Sequence, residues 1–351
     1  MKIHETGEEM VCSRQAIFLS PTSHREHSPA FGLLTVSTRA EVMKRKSVVS
    51  LLVKLAISAI LVAVLSFGID FGETFSTIAH ADLIDLALSM VILMALIALG
   101  ALRWKLVSDL QNPGLPLGRA TVVMLIGWFF NQALPSTIGG DVVRGHLLWN
   151  DYLDKTKFVS AIMIDRLIGL FVVVVFTTVF LSDIDETLGG GLPYIGLLVL
   201  VGVAYVCYAI AITSDLLLAR WTPFPALARF TAGFSKAFRA VITSPALFAK
   251  ILAIGLIYQL AFLYSIFLVF ESVDASVSFL EVLILMPAIQ LISSIPVSYS
   301  GWGVREQSIV FAFGMAGLAS STAFAASVLM GLVFIVAGFP GAILWFIFRR
   351  S

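Results

Sequence analysis

Six stretches of this chain, at about 47–69, 83–102, 159–181, 192–214, 249–270 and 322–348, are each apolar and long enough to cross a lipid bilayer. Crossing about 30 Å of hydrocarbon takes about 20 such residues. In lipid every backbone polar group must be satisfied within the structure, so these stretches are expected to be helices. Two further apolar stretches, about 119–134 and 279–296, end in Pro and Gly and read as broken. The expected fold is an all-α polytopic membrane protein with about eight hydrophobic segments, two of them broken or re-entrant. Charged residues make up only 13% of the chain, against about 25% in soluble domains.

The same composition excludes several function classes. The net charge is +1 and no basic stripe interleaves with aromatics, so no nucleic acid is expected as a partner. The two cysteines, Cys12 and Cys207, lie far apart in unlike contexts, and the five histidines are scattered. No metal site and no cofactor is expected. No P-loop is present, so direct ATP drive is not expected. Residues 1–46 are polar and aperiodic and are expected to form a disordered cytoplasmic tail. An alternative start at Met43 would put Met43-Lys44-Arg45-Lys46 directly before the first span.

Orientation follows from Lys and Arg in the loops. Lys44–Lys46, Arg103, Lys105, Arg119, Lys155, Lys157 and the basic loop 215–249 fall on one side, as do Arg349 and Arg350. The loops at 70–82, 182–191 and 271–278 hold acids and no Lys or Arg. Both termini are therefore expected in the cytoplasm of a cell (inner) membrane protein. The stretch 119–134 then enters and leaves from one side, and 279–318 from the other. Ordinary spans with a different count are the rival reading. Loop 215–249 carries Phe224, Phe230, Phe234 and Phe238 among its basic residues. It reads as an amphipathic helix on the inner leaflet or as a polar linker.

The two broken stretches resemble each other. Leu134-Pro135-Ser136-Thr137-Ile138-Gly139-Gly140-Asp141-Val142-Val143-Arg144 and Ile295-Pro296-Val297-Ser298-Tyr299-Ser300-Gly301-Trp302-Gly303-Val304-Arg305 share the pattern [LI]-P-x-[ST]-x-x-G-x-x-V-R. Each follows an apolar stretch and precedes a span. The chain divides into a first membrane repeat at 47–181 and a second at 182–348, and the loop signs make the repeats inverted. Inverted repeats with broken helices near the midplane are a transporter design.

Arg144 and Arg305 are the central candidates for binding. Pro135, Gly139, Pro296 and Gly303 break the helices, and new ones are expected to start near Gly140-Asp141 and Gly301-Trp302. A helix N-terminus favours an anion, and an Arg one turn in adds a bidentate donor for phosphate. Alternatively, each Arg snorkels, or pairs with Asp141 or Glu306 to hold the hairpin. Asp165-Arg166 reads as a self-neutralising pair or as part of the route beside Arg144. Asn131, Gln132 and Gln290 read either as head-group ligands or as glue between helices. Asp183-Ile184-Asp185 has the spacing of a sugar-nucleotide metal motif but sits in a short acidic loop without a soluble domain.

Asn131-Gln132-Ala133-Leu134-Pro135, Gly139-Gly140-Asp141-Val142-Val143-Arg144-Gly145, Asp165-Arg166-Leu167-Ile168-Gly169-Leu170 and Gly301-Trp302-Gly303-Val304-Arg305-Glu306 together resemble the membrane region of lysylphosphatidylglycerol synthase and its stand-alone, flippase-like relatives. The resemblance covers about 47–348. It implies that in the fused synthases this region moves aminoacylated phosphatidylglycerol to the outer leaflet, while a soluble domain attaches the amino acid. Sequence of that domain does not occur here, so lipid lysylation by this chain is not expected. Relatives lacking it are linked with other lipids, including polyprenyl-phosphate sugars and hopanoids.

The expected function is a lipid flippase or transporter of a phosphate-bearing lipid, not an enzyme. The alternatives are a membrane-embedded transferase, or a membrane subunit partnered with a lipid-modifying enzyme or glycosyltransferase.

Overall fold

The computed structural model describes Ala56 and residues 69–111, 113–134, 139–149, 154–221, 223–295 and 302–348. The tail 1–46, the alternative start at Met43 and all of the 47–69 span except Ala56 and Ile69 lie outside the described residues. So do Pro135, Pro296 and Gly301.

Local sequence sets the helix boundaries. Asp70 opens α1 (Phe71–Ala79) by accepting from the N–H of Gly72 at 2.8 Å and of Glu73 at 3.1 Å. Asp82 opens α2 (Leu83–Asp109) through the Ile84 N–H at 2.7 Å. Helix α3 (Leu117–Ala133) stops where Leu134 turns extended ahead of Pro135, because a residue before proline is steered out of the helical region. Helix α4 (Gly139–Leu147) follows. Asp154 caps α5 (Lys155–Val179) through the Thr156 N–H at 2.9 Å. Helix α6 (Leu181–Leu188) ends at Gly189 in the left-handed region, and α7 (Gly191–Trp221) begins two residues on. Helices α8 (Pro225–Thr243) and α9 (Pro245–Glu271) start on a proline, whose missing N–H has no partner in a first turn anyway. Ser278 and Glu281 cap each other at the start of α10 (Phe279–Ser293). Helices α11 (Val304–Met315) and α12 (Ser320–Phe348) complete the chain. Among the described residues no strand forms.

Five of these helices, α2, α5, α7, α9 and α12, are long and apolar enough to span a membrane. The protein is a multi-pass membrane protein. The two broken stretches are split helices. At 1.5 Å per residue, α3, α4, α10 and α11 run to about 26, 14, 23 and 18 Å, each short of the hydrocarbon thickness. The arms α3 and α4 pack on each other, and so do α10 and α11.

The packing repeats with the two halves exchanged. Helix α2 packs most extensively on its counterpart α9. Helix α3 packs on α12, and its counterpart α10 packs on α5. Helix α1 leans on α12 as α8 leans on α5. Lipid gives little hydrophobic drive for helix association, so close backbone approach at small residues holds the interfaces. A Cβ on Gly341 of α12 would collide with the Leu125 carbonyl of α3. One on Gly338 would lie 3.0 Å from the Trp128 ring. The largest core cluster joins α2, α9, α10, α11 and α12 through Leu93, Leu263, Leu285, Phe313 and Met330.

Three connections differ from the sequence reading. The acidic loops at 70–82 and 182–191 each contain a helix, α1 and α6. Phe71 meets Phe324 edge-on at 6.3 Å and Ile184 is fully buried, so tertiary contacts fix helices too short to show a period. The basic loop contains the helix α8, but its Phe234, Phe238 and Val241 are buried against protein. Only Phe224 of the four phenylalanines is exposed. The apolar face that sequence assigns to lipid is covered by α5 and α7.

Candidate functional site

The first hairpin is built by contact between its arms. The Gly140 N–H donates to Asn131 Oδ1 at 2.8 Å, tying the start of α4 to the end of α3. A Cβ on Gly140 would collide with the Gly127 carbonyl. Gly127 in turn makes room for Arg144, whose Cδ lies 2.7 Å from where a Cβ would stand. Asn131 is thus bound into the hairpin.

Around it lies a cluster of five charged side chains. Asp141, 7% exposed, accepts from Arg144 Nη1 at 3.0 Å through Oδ1 and from Arg166 Nε at 2.6 Å through Oδ2. Asp165, 3% exposed, accepts from Arg103 Nε at 2.8 Å. Asp165 and Arg166 therefore do not neutralise each other. They sit one residue apart on α5 and point to different elements, α2 and α4. Gly169 lets Arg103 approach, since a Cβ there would lie 3.2 Å from its Nη2. Arg103, Arg144 and Arg166 outnumber Asp141 and Asp165 by one positive charge.

The three arginines are not equivalent. Arg144 is buried, stacked 4.2 Å over the Trp104 ring, and its Nε and Nη2 have no acceptor among the described residues. Arg166 is open, with 48% of its side chain exposed. Arg166, Arg103 and Asp141 line a cavity of about 1120 Å³ between α2, α3, α4, α5, α9 and α10. Arg144 stands behind them. Phe158, Ile162, Leu167, Leu170, Val173 and Phe262 make its walls largely apolar. Val142, Val159 and Met163 on its rim are exposed. Tyr258, Gln259 and Gln290 add polar groups to its lining, with the Tyr258 ring 5.6 Å from the Arg103 guanidinium.

In the second hairpin the described charges pair with each other. Glu306, 2% exposed, accepts from the Gly303 N–H at 2.5 Å and pairs with Arg305. Gly303 has φ +90°, which glycine adopts without strain. The Arg305 guanidinium lies 5.1 Å from the Trp302 ring and 5.8 Å from the Phe334 ring. Arg305 and Glu306 do not line the cavity, and among the described residues they share no partner with Arg144. Gln132 is half-buried and also lies off the cavity. Among the described residues no three His, Cys, Asp or Glu side chains converge as a metal site would require.

The family model for the lysylphosphatidylglycerol synthase TM region matches residues 51–341. The chain belongs to that family. A comparison with curated proteins finds no match. In this member of the lysylphosphatidylglycerol synthase TM-region family, sequence reasoning missed Arg103, Trp104, Tyr258 and Gln259. Arg103 read only as an orienting charge because the apolar window closed at residue 102, whereas α2 runs on to Asp109. Gln259 carried a usable signal, the one amide side chain inside the 249–270 span.

Proposed function

We propose that this protein is a flippase or transporter that moves a phosphate-bearing lipid between leaflets of the cell membrane, with both termini cytoplasmic. The single observation that carries the reading is the cavity. It joins a cluster with one excess positive charge to apolar walls and an apolar rim, which matches an amphiphile with an anionic head.

Arg166 is the cation that meets the phosphate, with Arg103 beside it. It lies eleven residues into α5, about 16 Å along the axis, so the head group is drawn well below the interface. A phosphate that takes Arg166 frees Asp141 Oδ2. The unpartnered N–H groups of Arg144 stand ready to donate to that carboxylate, completing a bidentate pair. The charge of Asp141 is then balanced with or without substrate, and Arg144 acts as its reserve partner rather than as the first ligand. An isolated Arg in mid-membrane costs about 2.5–3.5 kcal/mol, and this sharing offsets that cost.

The test is leaflet exchange of a fluorescent anionic phospholipid in liposomes, followed by quenching of the outer label. Exchange above empty liposomes, lost in Arg166→Gln, is the expected result. No exchange with several phosphate-bearing lipids, from folded protein, would sink the reading and favour a membrane subunit that serves a lipid-modifying enzyme.

A further inference from the structure

The α9 and α10 side of the cavity has its own chemistry. Gln259 on α9 is 4% exposed and donates through Nε2 to Gln290 Oε1 on α10 at 3.2 Å. Gln290 Nε2 has no acceptor among the described residues, and neither does the nearby Ser293 Oγ have a partner. A buried amide donor left without an acceptor is costly, by about 1–3 kcal/mol. Turning the Gln290 amide into the cavity gives up no bond on its nitrogen. Gln259 and Gln290 are flanked there by Tyr258 and Ser294, and none of the four is charged.

The charge balance of the arginine cluster narrows the ligand further. Asp141 is the carboxylate among the described lining residues; both its oxygens accept from arginines, and Arg144 still pairs it when a phosphate takes Arg166. An ammonium head group would find no free anion there and would face a cluster with one excess positive charge. Amides both donate and accept, which suits hydroxyl groups, since a hydroxyl does the same.

We propose that Gln259 and Gln290 form a second, neutral subsite that selects a phosphodiester lipid whose head group is uncharged and hydroxyl-bearing, a glycerol or a sugar-like ring, over one ending in ammonium. This rests on the reading of the arginine wall as a phosphate site. The phosphate lies at Arg166 and Arg103, and the polyol reaches past Tyr258, which lies beside Arg103, to the paired amides.

The experiment is native mass spectrometry of the purified protein offered equal amounts of four lipids with identical acyl chains. These are phosphatidylglycerol, phosphatidylinositol, phosphatidic acid and phosphatidylethanolamine. The expected result is retention of phosphatidylglycerol or phosphatidylinositol about five- to tenfold above the other two, as one or two added hydrogen bonds imply. Which of the two leads distinguishes a glycerol from a ring. Gln290→Leu removes that preference and leaves binding at the level of phosphatidic acid. Gln290→Glu raises phosphatidylethanolamine relative to phosphatidylglycerol. Equal retention of all four by the wild-type protein would overturn the subsite without needing any variant to fold. So would equal retention of the three anionic lipids, or a preference that survives in folded Gln290→Leu. In those two cases the phosphate site stands. No retention of any anionic lipid would overturn both readings together.

Discussion

The two hairpins carry the same motif and use it in opposite ways. In the first, the acid precedes the arginine by three residues, so Asp141 and Arg144 share one face of α4 and Asp141 also reaches Arg166 on α5. In the second, the acid follows directly. Glu306 folds back on the Gly303 N–H and on Arg305, which completes the start of α11. One hairpin forms a charge cluster with one cation in excess, open to a cavity. The other forms a neutral pair enclosed by Trp302 and Phe334. A repeated arginine therefore does not by itself mark a site. The placement of its acid decides whether the pair faces outward to other helices or inward to its own cap.

The largest expected effect breaks this contrast at its hub. Asp141→Asn strands the buried Arg144 and unpairs the half-exposed Arg166, and removing one member of a buried pair costs about 3–5 kcal/mol. Thermal unfolding in detergent should show a large loss of stability, mostly restored by the double variant Asp141→Asn with Arg144→Met. Glu306→Gln keeps an acceptor for the Gly303 N–H and strands only Arg305, so its loss is smaller. Equal losses in the two single variants would show that the hairpins do not differ as their geometry indicates.

Next comes the separation of transport from folding. Arg166→Gln removes a half-exposed cation and should change stability by under about 1 kcal/mol. Leaflet exchange should nevertheless fall by about tenfold or more, the value of a lost charge-assisted bond to phosphate. Arg305→Gln should leave exchange within about threefold of wild type, because Arg305 does not meet the cavity. The reverse ranking would move the substrate to the second hairpin.

What sequence made legible, and what it did not, follows the same division. Apolar length and charge bias revealed the spans, and α2, α5, α7, α9 and α12 stand where they were expected. The breaks at Leu134 and Ile295 were visible because Pro and Gly act through local sterics. The pairing of charges was hidden. Asp165 and Arg166 are neighbours in sequence, yet successive residues on a helix point about 100° apart, and each meets a different helix. Arg103 and Gln259 join the cavity only through packing of α2 and α9 against α5, and no local pattern encodes that.

The most local change sharpens the comparison at the backbone. Gly140 and Gly303 both open a hairpin's second arm, for different reasons. Gly140 is required by the approach of the Gly127 carbonyl, so Gly140→Ala must push α3 and α4 apart. Overpacking of this kind costs about 1–3 kcal/mol and should shift the Asp141–Arg166 contact, so exchange falls along with stability. Gly303 is required by its φ of +90°, and Gly303→Ala should cost about 1–3 kcal/mol in backbone strain. That strain stays within the closed hairpin, and exchange per folded protein should hold. Unfolding temperature and exchange measured on the same preparations separate the two. If Gly303→Ala lowers exchange more than stability, the second hairpin moves during transport and is not a fixed counterpart to the first.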